Sequence, residues 1–157
     1  METSEELRQR LDVLESEGAI RRLMAEYLDA RDLGQGSGTH IAHLFTDDGV
    51  WEGVGRLAGV LGSHYGRDAI EQRFSAPLPL TVHFLTNEMI TVDSDTAVGT
   101  WRFLQATVYQ GQAVWVGGRY HNDFVRIQGQ WKFQHVRIDA MFVTPYEDGW
   151  VKTPFLE

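Results

Sequence analysis

The chain has 157 residues, no cysteine, 43% hydrophobic and 11% aromatic residues, and 14 basic against 22 acidic side chains, for a net charge of −8. That length suits one domain with one core, residues 1–157, and the apolar content excludes a disordered chain. The acidic balance excludes a phosphate-backbone binder, and the missing cysteines exclude disulfides, thiolate zinc sites and a cysteine nucleophile. No apolar run approaches the roughly 20 residues of a membrane span, and the acidic N-terminus is no secretory signal. A cytoplasmic domain that binds neither membrane nor nucleic acid is expected.

Thr3 with Glu6 predicts a capping box opening a helix. Leu7, Leu11 and Leu14 form one apolar stripe at helical spacing. Gly18 interrupts, and Ile20, Leu23, Met24, Tyr27 and Leu28 form a second. The pattern predicts two helices, or one kinked helix, ending before the loop at Gly34–Gly38. No strand precedes that glycine-rich loop, so it is not a phosphate cradle. A short helix over Thr39–Phe45 and a turn at Thr46–Gly49 follow. Val50–Leu61 reads as two short strands broken by Gly53, Gly55 and Gly59. Arg67–Phe74 reads as a helix stopped by Pro77 and Pro79.

From residue 80 the period changes to two. Leu80–Val92, Thr96–Tyr109, Ala113–Ile127 and Trp131–Val143 are four long strand candidates separated by hairpin-length turns. Helices first and a long-stranded meander last predict an α+β fold, with helices packed on one face of a curved antiparallel sheet. Gly99, Gly117 and Gly118 allow the sheet to bend into a cone. A pocket is then expected between the concave face and the helices. The tail 146–157, with Trp150, Pro154 and Phe155, is expected to cover that pocket or dock on a neighbouring subunit.

Ile20–Asp32, Leu44–Trp51, Gly66–Ile70, His83-Phe84-Leu85-Thr86-Asn87, Gly118-Arg119-Tyr120-His121 and Gly129–Phe133 occur in an order that resembles the SnoaL-like branch of the nuclear-transport-factor-2-like superfamily, which has a cystatin-like α+β barrel fold. Within that branch the chain resembles the scytalone dehydratases, hexachlorocyclohexane dehydrochlorinases and bile acid 7α-dehydratases. The resemblance implies a cofactor-free, metal-free lyase of polyketide, steroid or aromatic metabolism, acting on a small apolar cyclic substrate as a homo-oligomeric trimer or dimer. An isomerase with the same base, and a non-catalytic ligand-binding or structural member, are the alternatives.

By the same resemblance Asp32 and His83 are the catalytic pair, with Tyr27 as a pocket phenol. The pair makes chemical sense: an imidazole takes a proton while a carboxylate fixes its tautomer. No serine matches a hydrolytic triad, so elimination fits better than acyl transfer. Trp51, Trp101, Phe103, Gln105, Asn87 and His121 are the expected substrate contacts. Asn87 shares the period-two face of His83, whereas His121 and Asn122 point to opposite sides of their strand. Gln105 stands where the bile acid enzymes carry an acid, and the second histidine of the scytalone dehydratases has no counterpart. His135, Arg137 and Asp139 read as an interstrand charge network, and His40 and His43 as surface groups. The net charge gives anions no long-range attraction, so the ligand is expected to be neutral or locally held.

Overall fold

The computed structural model describes residues 3–32, 37–76 and 79–156. Helix α1 spans Ser4–Asp32 without a break at Gly18. Its first turn carries the capping box: Glu6 N–H donates to Thr3 Oγ1 at 3.2 Å, and Thr3 N–H donates to Glu6 Oε2 at 2.7 Å. The two apolar stripes have different fates. Ile20, Leu23, Met24, Tyr27 and Leu28 are buried, whereas Leu7, Leu11 and Leu14 are 52%, 55% and 63% exposed. The second half of α1 packs on the sheet; the first half carries its leucines outside the core. Leu33–Gly36, which hold most of the glycine-rich loop, lie outside the described residues, as does Pro77.

Helix α2 is Gly38–His43, capped by the Ser37 side chain, and β1 begins directly afterwards as Phe45–Gly53. The turn expected at Thr46–Gly49 is therefore strand, with a register irregularity between Phe45 and Val50. The irregularity frees the Phe45 carbonyl, which Arg67 takes with Nε and Nη2 at 3.1 and 2.9 Å. The second strand expected before Leu61 is instead a 3-10 turn, Gly55–Leu57, and helix α3, Ala58–Leu61. Gly53 makes this reversal possible, because a Cβ there would sit 2.5 Å from the Leu57 carbonyl oxygen. Strand β2, Ser63–Tyr65, and helix α4, Gly66–Phe74, complete the first half.

Strands β3 (Thr81–Asp93), β4 (Thr96–Tyr109), β5 (Gln112–Ile127) and β6 (Gln130–Pro145) form the antiparallel meander. Its tight turns suit their residues: Gln110-Gly111 and Gln128-Gly129 all have positive φ, the geometry of hairpin turns matched to sheet twist. The six strands lie in the order β2-β1-β6-β5-β4-β3, and β1 runs parallel to β6, so the sheet is mixed. Opposite Gly117–Gly118, the extra residue Met141 makes a bulge that bends β6 against β5. Gly118 is required there: a Cβ would lie 2.1 Å from the Asp139 carbonyl oxygen and 2.8 Å from the Phe103 ring.

The interior has two parts. Toward one end, Trp101, Phe124, Phe133 and Phe45 fill the concave face with Tyr27 of α1, at ring separations of 5.1–6.4 Å. Toward the other end the same strands line an open chamber. On the outer side, the His135 ring joins Glu52 at 2.7 Å and Arg137 at 2.8 Å, and Arg137 joins Asp123 at 2.7 Å. His40 pairs with Glu26, and His43 with the Thr39 carbonyl. Helix α5, Gly149–Lys152, follows β6. Among the described residues no helix is long and apolar enough to cross a membrane.

Candidate active site

Asp32 is the last residue of α1, where the helix dipole disfavours a carboxylate. Two hydrogen bonds offset that cost. His83, three residues into β3, donates its backbone N–H to Oδ2 at 2.6 Å and its ring Nδ1–H to Oδ1 at 2.6 Å. Both carboxylate oxygens therefore hold one histidine, by backbone and ring together. An acceptor-only carboxylate needs the proton on Nδ1, so the neutral ring carries its lone pair on Nε2. Among the described residues Nε2 has no hydrogen-bond partner, and His83 lines the chamber. Burial lowers the His83 pKa from its ordinary 6.5, helped by the Arg31 charge and opposed by the bond to Asp32. At neutral pH the imidazole is uncharged and able to accept a proton.

The chamber has a volume of about 330 Å³. Phe103 and Gln105 of β4, Val114 and Val116 of β5, Ile138 and Val143 of β6 and Leu57 and Leu61 beside α3 give it mostly apolar walls. The tail closes one side: Phe155 bridges Val143 in parallel register, Leu156 N–H donates to the Val143 carbonyl at 2.8 Å, and both side chains face the chamber. Trp150 lies elsewhere, 60% exposed and packed on Phe142.

Three polar groups besides His83 stand out in the wall. Tyr120 of β5 is 1% exposed, and burial raises its pKa well above the ordinary phenol range, so its hydroxyl stays a donor. Arg31, beside Asp32, donates Nη1–H to Tyr27 Oη at 3.2 Å, while its Nε is buried without a partner. Arg73 of α4 makes no hydrogen bond or ion pair among the described residues; burial and the Arg31 charge lower its pKa. The two guanidiniums share aromatic supports. Arg31 and Arg73 lie 5.9 and 5.2 Å from the Trp51 ring centroid, and 5.1 and 5.8 Å from that of Phe74.

The chain has relatives among known proteins. Residues 12–137 match the SnoaL-like domain family. The chain belongs to that family. It is 27% identical over 143 residues to hexachlorocyclohexane dehydrochlorinase 1 of Sphingobium indicum, covering 86% of this chain and 88% of that one. Among solved structures, a candidate aromatic ring hydroxylase from Novosphingobium aromaticivorans superposes with a TM-score of 0.74 at 27% identity, over 86% of this chain and 96% of the other. An NTF2-like protein with a cystatin-like fold from the same organism gives 0.71 at 24% identity, over 90% and 92%, and speaks for the fold alone.

In this SnoaL-like chain the residues singled out in the sequence fall into three groups. Asp32 and His83 are joined, and Trp51, Phe103 and Gln105 line the chamber, with Gln105 Nε2–H donating to Thr81 Oγ1 at 2.7 Å. Tyr27 and Trp101 lie behind the chamber. Tyr27 is fully buried, and its hydroxyl accepts from Trp51 Nε1–H at 2.7 Å and from Arg31, so it positions the wall. Trp101 packs on Phe124, and its Nε1–H donates to Glu88.

Asn87 and His121 are exposed and outside the chamber, which corrects their expected substrate contact. Asn87 has φ 52° within a bulge between Thr86 and Met89, and the extra residue breaks the period that put it on the face of His83. His121 points outward because its neighbours Tyr120 and Asn122 take the inward positions on β5. The buried phenol that lines the chamber is Tyr120, signalled in the sequence by its alternation with Gly118 and Asn122; Tyr109 stands at a more exposed part of the lining. Arg31 and Arg73 carried no such signal, since arginines in helices with mixed polarity read as solvated.

Proposed function

We propose that this SnoaL-like protein is a lyase that needs only its own side chains to remove a proton from carbon and expel a leaving group from the adjacent carbon. The supporting observation is the double hydrogen bond of Asp32 to His83, which leaves Nε2 unpartnered in an apolar chamber. His83 Nε2 takes the proton; the C–H electron pair forms the new double bond. The bond to the leaving group breaks, and a halide or a hydroxyl-derived group departs with its pair. Asp32 holds the ring and stabilises the imidazolium, which later returns its proton to solvent. Tyr120, as a phenol donor, hydrogen-bonds a substrate oxygen or the leaving group.

The kinship to a dehydrochlorinase supports elimination, while equal identity to a candidate hydroxylase leaves the reaction to be argued from the site. The direct test is incubation of wild type and His83→Ala with cyclic halides and alcohols, following mass. Loss of water or hydrogen halide with wild type only is expected. Uptake of solvent deuterium without mass loss to elimination would instead identify an isomerase using the same base.

A further inference from the structure

Arg31 and Arg73 are the oddest groups in the chamber, because each is charged and neither makes an ion pair with an acid among the described residues. Asp32 follows Arg31 in sequence, yet both of its oxygens are turned to His83. Among the described residues no aspartate or glutamate lines the chamber. Arg31 donates to Tyr27, also acts on the Tyr120 hydroxyl, and leaves Nε buried without an acceptor; half-buried Arg73 makes no hydrogen bond among the described residues. Leaving the Arg31 Nε–H unsatisfied in an apolar enclosure is costly. Like charges backed by the same Trp51 and Phe74 rings repel each other, and burial together with this repulsion lowers the Arg73 pKa. The chain carries 22 acidic side chains, and none of those described lines the chamber.

We infer that the ligand of this chamber supplies the missing acid: a ring-bearing carboxylate seated between Arg31 and Arg73, its apolar body against Phe103, Val116 and Phe155. Guanidinium is the side chain whose planar fork matches a carboxylate in paired hydrogen bonds. The acidic surface gives no long-range attraction for such an anion, so the selection is local. The inference rests on the proposed His83 site for its catalytic meaning. Removing the proton α to the carboxylate would pass the C–H electrons toward oxygens already held by two cations. Loss of the β leaving group then completes the double bond.

The test is calorimetric titration with benzoate, cyclohexanecarboxylate and 2-naphthoate, each beside its neutral amide, on folded protein checked by thermal melting. At least one acid should bind about ten- to hundredfold tighter than its amide in wild type, the range of charge-assisted hydrogen bonds. Arg73→Gln, at the less buried position, should remove most of that preference, as should Arg31→Gln if it folds. Binding should also raise the His83 pKa, read by NMR, because the anion offsets Arg31. Equal binding of acid and amide, no binding of any acid at millimolar concentration, or a preference that survives Arg73→Gln would each overturn the inference. His83→Ala should keep the acid preference. If it does, and the bound acid bearing a leaving group is converted by neither protein, the lyase reading fails while the carboxylate seat stands.

Discussion

The two ends of the cone share the same four strands and obey opposite rules. Where β4 carries Ala97, Gly99 and Trp101 inward, the space is filled by rings, and Phe133 touches Phe45, Phe124 and Tyr27 at 5.1–5.4 Å. Where β4 continues to Phe103, Gln105 and Thr107, the space is hollow and holds a histidine, a phenol and two guanidiniums with few partners. Period-two alternation continues through both, so it says which side chains point inward but not whether they meet. The filled end gives the sheet its stability. The hollow end keeps polar groups unsatisfied, as a site prepared for a ligand does.

The largest effects should come from a matched pair of substitutions, one at each end. Phe133→Ala is expected to cost about 3–5 kcal/mol in denaturant unfolding, because a fully buried ring leaves a cavity. His83→Ala should cost clearly less stability but lower turnover roughly 10²–10⁴-fold, the usual worth of a general base. Equal stability losses would remove the distinction between the ends. Asp32→Asn comes next. The amide would donate to Nδ1 and move the ring proton to Nε2, so turnover should drop on the order of 10²-fold with the melting temperature shifted by only a few degrees.

A pH series sharpens the comparison further. The His83 pKa is lowered in the folded protein, so between that value and the ordinary 6.5 the unfolded chain binds the extra proton. Stability should therefore fall as pH drops through this window, and the acid limb of kcat/KM should lie below 6.5. Arg31→Gln should move that limb upward by removing a nearby positive charge. The smallest effect belongs to neither end: Thr3→Ala removes the α1 cap and should cost about 1 kcal/mol.

Much of the filled end was legible in the sequence because it follows from periodicity. The α1 stripe from Ile20 to Leu28, the boundaries of β3–β6 and the Gln-Gly turns all have local causes. Strand β1 was not legible as a continuous strand, since Thr46-Asp47-Asp48-Gly49 has turn chemistry and is held as an irregular stretch between Phe45 and Val50, which pair with β6, with Arg67 on the Phe45 carbonyl. At the hollow end, resemblance drew attention to Asp32 and His83, and the geometry joins them. Asn87 was misplaced by a bulge that alternation cannot reveal. Arg31 and Arg73 were missed because Trp51, and for Arg31 also Phe74, arrives from elsewhere in the chain.

The central claim is that His83 is held neutral with its free lone pair on Nε2. Long-range nitrogen–proton NMR spectra of the histidine rings, recorded across a pH titration of the ligand-free protein, test it without knowing the substrate. The account predicts a ring protonated on Nδ1 at pH 7 that takes its second proton below 6.5. A proton on Nε2, or a midpoint at or above the ordinary imidazole value, would contradict it.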